Sequence, residues 1–550
     1  MSSPSFLRAA GAMSFATFLS RIMGLVREQV FAVMFGAGMA TDAYIVAFRL
    51  PNLLRDLFAE GAMSAALVPS FTRAREEEGA ERAWRLAGLV FRVLGVFVGI
   101  LALIGIIFTP QLVSIYAPAF KEIPGKYELT VRMTRVIFPF FPLVALAAAF
   151  MGILNACGVF FLPAFASALF NIFSVMVGVV GAAILFKVGP SFGLHPIEGM
   201  ALGVVVGGAV QAFCQLPSLY RAGYRWVARQ DDNKYPAWFR DPRLRQMLWM
   251  MVPGTVGLAA TQVNILVNTV LATSQGEGVV SWMNYSFRLM QFPIGVFGVS
   301  LASATLPRVS EQWVRKDVKA VVETLTRSLS YVFSVNLPAS AGLAFLGFPI
   351  IQLIFQYGRF SVTATQGTAM ALAMYAVGLT AYSTVKVLAP VCYALGNTRV
   401  PVISSILSVL LTVVLNLMMV GPFGYWGLAL GTSLAAIFNA VFLLVSIRGM
   451  ISRAGGELNL PAIYGSFFRN LCVALAMGVG CYFSNQLLLS WLPEAAPGGA
   501  KVWLVLTRLF RVSLLITEGG MLALVFAKVF GARDSLDAFE FFWKKLKKRL

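Results

Sequence analysis

SRIMGLVREQVFAVMFGAGMATDAYIVAFRLPNLLRDLFAE, residues 20–60, reads as two helices apolar enough to cross a bilayer, yet it holds eight charged side chains. These are Arg21, Arg27, Glu28, Asp42, Arg49, Arg55, Asp56 and Glu60, and Arg288 is a ninth in a later apolar segment. An ionised group at bilayer depth costs about 2.5–3.5 kcal/mol on insertion scales. Such charges persist only where they face a watery cavity, a partner or a substrate, so function is expected here.

The rest of the chain sets the context. Of its 550 residues 58% are hydrophobic and 12% charged, with mean hydropathy +0.78. Apolar runs of roughly 18–25 residues recur throughout, each long enough for a ~30 Å hydrocarbon core. The reading is an all-α polytopic membrane protein with about fourteen spans, near 6–35, 40–71, 86–116, 127–156, 161–186, 199–222, 246–273, 279–310, 322–346, 364–394, 400–420, 425–447, 467–490 and 502–530. The first run lacks the short core and small-residue cleavage site of a removable signal, so it reads as a span.

The net charge of +20 does not point to nucleic acid, which would want one basic face on a folded domain. The basic residues lie instead between spans: Arg73, Arg75, Arg82 and Arg85, then the set from Arg221 to Arg245, then Arg315, Lys316 and Lys319. The alternate loops hold few. Placing the basic loops inside puts both termini in the cytoplasm, as an even number of spans requires. The tail from 531 to 550 mixes aromatics with Lys544, Lys545, Lys547, Lys548 and Arg549, and is expected to lie on anionic inner-leaflet lipids.

A repeat is visible at an offset of 239–240 residues. Phe48-Arg49-Leu50 with Phe58 matches Phe287-Arg288-Leu289 with Phe297, and Pro110 with Phe120 matches Pro349 with Phe360. The expected organisation is two six-helix lobes in a pseudo-twofold repeat, 1–225 and 246–450, joined by a cytoplasmic linker, 226–245. Two additional helices follow in 451–530, a transporter-like plan.

Within the charged stretch, Arg21 and Glu28 share a helix face, as do Asp42, Arg49 and Glu60. Pro51 removes an N–H and frees the Ala47 carbonyl, so the phase of Arg55 is open. Guanidinium groups hold phosphate oxygens in a bidentate fork, which makes Arg21, Arg27, Arg55 and Arg288 candidates for an anionic phosphate or pyrophosphate. The competing reading pairs them with Glu28, Asp42 or Glu60 as internal locks, and Arg49 divides between the two. Ser20 and Lys386 are weaker cavity-lining candidates, and Lys386 could equally snorkel to an interface. Asn268, with Asn264, is a weak cation candidate beside the alternative of helix–helix hydrogen bonds. Glu518 has no obvious partner.

The five cysteines show no metal spacing, and the only histidine, His195, lies in a Gly/Pro loop. No Walker loop, GxSxG or HExxH occurs, so neither enzyme chemistry nor a cofactor is expected. Any uphill step would draw on a monovalent-cation gradient, the membrane potential or metabolism.

Three blocks carry a resemblance. They are Ser20–Glu28 with Phe35-Gly36-Ala37-Gly38, Asp42-Ala43, Pro51–Arg55 and Phe58–Ala62; then Ser281-Trp282-Met283 with Arg288-Leu289-Met290 and Phe292-Pro293; then Gln356–Phe360. Over nearly the whole chain the sequence resembles the MurJ (MviN) lipid II flippase family of the MOP transporter superfamily. The resemblance implies a fourteen-helix flippase of the bacterial cytoplasmic membrane. It would carry undecaprenyl-pyrophosphate-linked peptidoglycan precursor outward by alternating access, in company with cell-wall synthesis enzymes. It further implies that Arg21, Arg27, Arg55 and Arg288 line a central cavity, and that the two extra helices make a groove for the lipid tail. Asp56, where the family is often basic, lowers the positive charge of that cavity, whereas Phe287 and Gln291, where it is often acidic, raise it. The alternatives are a flippase for another polyprenyl-linked glycan and a non-transporting scaffold for wall synthesis, which gives no reason for membrane-embedded arginines.

Overall fold

Apolar runs that must satisfy every backbone group internally have the helix as their single-segment solution in a bilayer. In the computed structural model, which describes residues 4–57, 61–225, 241–491, 501–537 and 540, the described regular structure is entirely helical. Glu60, most of the 226–245 linker and Lys544, Lys545, Lys547, Lys548 and Arg549 of the tail lie outside the described residues.

The first helix, α1 (Pro4–Phe35), ends at Gly36. It is followed by α2 (Met39–Arg55), interrupted by Pro51, and by α3 (Gly61–Glu77). Then come α4 (Ala80–Ile107), the short α5 (Thr109–Tyr116), α6 (Lys126–Ile137), α7 (Phe140–Ala156), α8 (Phe161–Val188), α9 (Glu198–Phe213) and α10 (Leu216–Arg221). The second series is α11 (Pro242–Thr273), α12 (Val279–Pro293), α13 (Val299–Val314), α14 (Val318–Phe345), α15 (Gly347–Phe355), α16 (Val362–Ala394) and α17 (Arg399–Arg453). Helices α18 (Leu460–Trp491) and α19 (Lys501–Val529) close the chain's described spans.

The internal repeat is written in element lengths. Helices α1 and α11 have 32 residues each and start at Pro4 and Pro242, 238 apart. Helices α4 and α14 have 28 each and start at Ala80 and Val318, again 238 apart. Even the breaks recur: Phe108 between α4 and α5 (φ −89°, ψ 13°) corresponds to Leu346 between α14 and α15 (φ −105°, ψ 12°). A wide-turn π segment follows α2 at Asp56-Leu57, and its counterpart follows α12 at Ile294–Gly298.

Packing divides the chain into two compact units, Met1–Gly278 and Val279–Leu550. This cut falls one helix later than the expected lobe boundary at 246, because α11 packs with the first unit, chiefly on α3. Its start is fixed by charge. Asp241 caps α11 by accepting from the Arg243 and Leu244 amides, and it receives Arg82 at 2.9 Å. Arg82 also meets Glu78 at 3.1 Å, and Arg243 meets Glu77 at 2.8 Å.

The first unit's core joins Phe71, Phe91, Phe141 and Phe150 from α3, α4 and α7. Helices α8 and α9 come close through Gly199, Gly203 and Gly207. A Cβ at Gly203 would lie 2.3 Å from the Ser174 carbonyl oxygen, the close approach that small residues four apart permit. In the second unit α14, α16 and α18 enclose Leu325, Phe333, Val387, Leu388 and Ala474. There Glu518 of α19 accepts from Ser484 of α18, supplying the partner that sequence alone did not reveal.

Nine helices among the described residues are long and apolar enough to cross a membrane, or ten with α14 and α15, bent by 72°, taken as one span. The apolar runs led us to expect about fourteen. Helices α2 and α3, at 17 residues each, are individually short, and α17 holds two expected spans on either side of Gly424 (φ 59°, ψ −144°). The cysteines form no disulfide. At Cys157, just past α7, burial pushes the thiol above its usual range while Arg75 pulls the other way.

Candidate functional site

Each charged residue of the opening stretch that the structure describes has a definable setting. In α1, Arg27 and Glu28 are both buried, at 6% and 7% exposure. The Arg27 guanidinium donates to Glu28 Oε1 at 3.2 Å, an adjacent-residue pair that spacing along the helix did not suggest. Arg27 also lies 5.6 Å from the ring centres of both Phe48 in α2 and Phe170 in α8. Arg21, two turns earlier, is on an exposed face of α1, and the Ser20 carbonyl accepts from Asn171 Nδ2 at 3.3 Å.

Asp42 is fully buried near the start of α2. Its Oδ2 accepts from Lys126 Nζ at 2.9 Å and from the Gly278 amide at 2.7 Å. Lys126 is fully buried too and stands 4.2 Å from the centre of the Phe120 ring. Glu277, in the turn that ends with Gly278, accepts from the Met39 amide at 2.7 Å. One carboxylate thus gathers the starts of α2 and α6 and the turn after α11. Sequence reading placed Lys126 in a sparsely charged loop and missed this role; the one available signal is its position directly after Gly125, opening a helix.

Pro51 lies one helical turn before Arg55, and α2 continues through it as helix to Arg55. Arg49 donates to the Thr269 hydroxyl of α11. Arg55 pairs with Asp56 at 2.8 Å, and Gln262 Nε2 of α11 donates to the other Asp56 oxygen at 3.2 Å. Asp56, the departure that lowers the positive charge, is therefore the immediate partner of Arg55. Asn268 donates to Asn264 at 3.3 Å within α11, and no group of three His, Cys, Asp or Glu side chains suited to a metal occurs among the described residues.

In the second unit, Arg288 lies on an exposed face of α12 and Lys386 on an exposed face of α16. Phe287, beside Arg288, packs edge-on against Tyr375 with centres 5.4 Å apart. Two further arginines, which sequence reading did not single out, are buried in α19. Arg508 donates to the Gln352 and Gln356 carbonyls at 3.3 and 2.8 Å, and Arg511 to the Gln352 side chain. They cap the carbonyl end of α15, where a cation is favoured by the helix dipole.

The chemistry this arrangement offers is electrostatic. Arg27 and Arg55 are each set beside a single carboxylate. Such a set can hold and release an anion.

Comparison with known proteins bears on which anion. Residues 31–497 match the family model described as lipid II flippase MurJ. The lipid II flippase MurJ of Burkholderia cenocepacia is 34% identical over 444 residues, covering 81% of this chain and 84% of the relative. The probable lipid II flippase MurJ of Vibrio cholerae is 31% identical over 499 residues, covering 89% and 91%. Among solved structures, a lipid II flippase MurJ in an inward closed conformation aligns with TM-score 0.74 at 23% identity, over 94% of this chain and 98% of that one. An inward-facing multidrug-resistance MATE transporter of the MOP superfamily aligns with TM-score 0.66 at 16% identity, over 79% and 95%. At those identities the structural matches speak to fold.

Proposed function

The chain belongs to the lipid II flippase MurJ family, and from that premise we propose that it moves lipid II from the inner to the outer leaflet of the bacterial cytoplasmic membrane. The pyrophosphate of the substrate is held by Arg21, Arg27, Arg55 and Arg288. Glu28 and Asp56 stand against Arg27 and Arg55 as exchangeable counter-charges, and the Asp42–Lys126 pair with Arg49 holds the helix ends that frame the site.

The observation that carries this reading is the setting of Arg21 and Arg288. Each lies on an exposed face partway along a membrane helix. Facing lipid, each would cost at least a few kcal/mol; facing a water-filled cavity, each is hydrated and within reach of an anionic substrate. Arg27 and Arg55 add guanidiniums that each already meet a carboxylate, and a pyrophosphate offers the same acceptor geometry with more charge. An anion that competes with Glu28 and Asp56 takes their place on the guanidiniums, and the freed carboxylates, regaining the arginines, drive its release.

The basic loops place both termini in the cytoplasm, and the inner leaflet then presents the lipid-linked substrate to the cytoplasmic side. Complementation tests the assignment. In a bacterium depleted of its own lipid II flippase, the wild-type chain restores growth, whereas Arg27→Ala and Arg288→Ala do not, at equal membrane abundance. Failure of a well-expressed wild type would overturn the substrate, and rescue by both variants would overturn the role of the arginines.

A further inference from the structure

Arg27 is the one described arginine of the opening stretch that is buried between aromatic rings. Its guanidinium carbon is 5.6 Å from the centre of Phe48 and 5.6 Å from that of Phe170. The rings are braced by a third: Phe140, fully buried, lies 5.8 Å from Phe48 and 5.4 Å from Phe170. Phe170 itself is 8% exposed. Three helices, α2, α7 and α8, therefore supply an aromatic wall to an arginine on a fourth.

Such a wall solves a problem specific to an anion carrier. An arginine that must exchange one anion for another passes through a moment with its carboxylate partner withdrawn. In water that moment costs little, but beside buried helices it leaves a desolvated cation. The negative faces of aromatic rings stabilise a cation without neutralising it and offer no lone pair to compete for the N–H donors. A second carboxylate would hold Arg27 too tightly to release it, and aliphatic side chains would not hold the charge at all.

We propose that Phe48 and Phe170 are positioning residues for substrate binding: their ring faces hold the Arg27 guanidinium in place, charged and open to the pyrophosphate, while Glu28 is displaced. This rests on the assignment of Arg27 to the substrate and extends it to two uncharged residues. The rings act through Arg27 and do not themselves touch the substrate phosphate.

Ring electronics can be changed with little change of shape, which separates this role from packing. Phe170 is replaced in turn by mono-, di- and trifluorophenylalanine, and labelled lipid II is titrated onto the purified full-length protein in nanodiscs. Fluorine withdraws charge from the ring face, so affinity falls stepwise, reaching about tenfold with three fluorines, while the melting temperature stays within a degree or so of wild type. The same series at Phe48 behaves alike, and at Phe150, packed against Phe91 in the core, it leaves affinity unchanged. Phe170→Tyr keeps near-wild-type affinity and Phe170→Leu loses it. Affinity independent of fluorination at both Phe48 and Phe170 would overturn the proposal. If Arg27→Ala also bound lipid II normally, the assignment of Arg27 itself would fall; if Arg27→Ala lost binding while fluorination did nothing, only the aromatic role would.

Discussion

At the scale of single residues, the buried pair Asp42–Lys126 is the most consequential contact, because neither member can return to water without unfolding its surroundings. Removing one partner of a buried ion pair strands the other charge and costs about 3–5 kcal/mol, whereas removing both is far milder. Lys126→Met alone is expected to lower the melting temperature of the purified protein sharply, and adding Asp42→Asn should recover most of the loss. Equal destabilisation by the single and the double variant would show that the pair is not coupled. At Arg55 the sign is opposite. Asp56→Asn removes the immediate counter-charge, so lipid II affinity should rise severalfold, at a cost in stability of about 1 kcal/mol for a pair that is partly exposed; a titration of the variant against wild type checks it.

The limits of the sequence are clearest at these residues. Spacing along a helix tells which side chains share a face, so the concentration of charges between 20 and 60 was legible. Spacing does not tell what stands opposite. Lys126, Thr269 and Gln262 meet Asp42, Arg49 and Asp56 from positions 84, 220 and 206 residues away, and no local pattern marks them. The aromatic wall was hidden for the same reason: 45 phenylalanines in an apolar chain make any one of them look like core.

At the scale of elements, the two series of helices share the lengths of α1 with α11 and of α4 with α14, and the break after α4 recurs after α14. The offset of 239–240 found in a few aromatic and proline positions reappears, within two residues, as the 238 between the starts of whole helices, so the repeat was legible. The placement of α11 with the first unit was not, because it depends on the Asp241, Arg82 and Arg243 cluster and on contacts with α3. The break in α17 belongs to Gly424, whose φ of 59° and ψ of −144° suit glycine and strain any side chain. Gly424→Ala should cost about 1–3 kcal/mol, and the cost should appear as a lower melting temperature. The α8–α9 contact is a second sensitive point. Gly203→Ala drives a methyl into the Ser174 carbonyl, so a loss of about 1–3 kcal/mol or more is expected, whereas Gly95→Ala, with open space around it, should be tolerated.

At the scale of the whole molecule, hydropathy defines a multi-span protein, and the bias of basic loops leads us to propose that both termini are inside. Reporter fusions test this directly: a phosphatase active only outside should be silent after residue 225 and active after residue 193, in the Gly/Pro loop that follows α8. The reverse pattern would invert the topology. Transport itself makes the strongest demand on the account, since it requires the arginines and the fold to act together. The decisive measurement is the amount of lipid II exposed on the outer leaflet of spheroplasts that contain this chain as their sole flippase, read by an externally added enzyme that modifies only accessible lipid II. Wild type should expose it at rates supporting growth, and Arg27→Ala and Arg288→Ala should each reduce exposure to the level of flippase-depleted cells. Undiminished exposure by both variants at normal abundance would contradict the claim that these arginines carry the substrate.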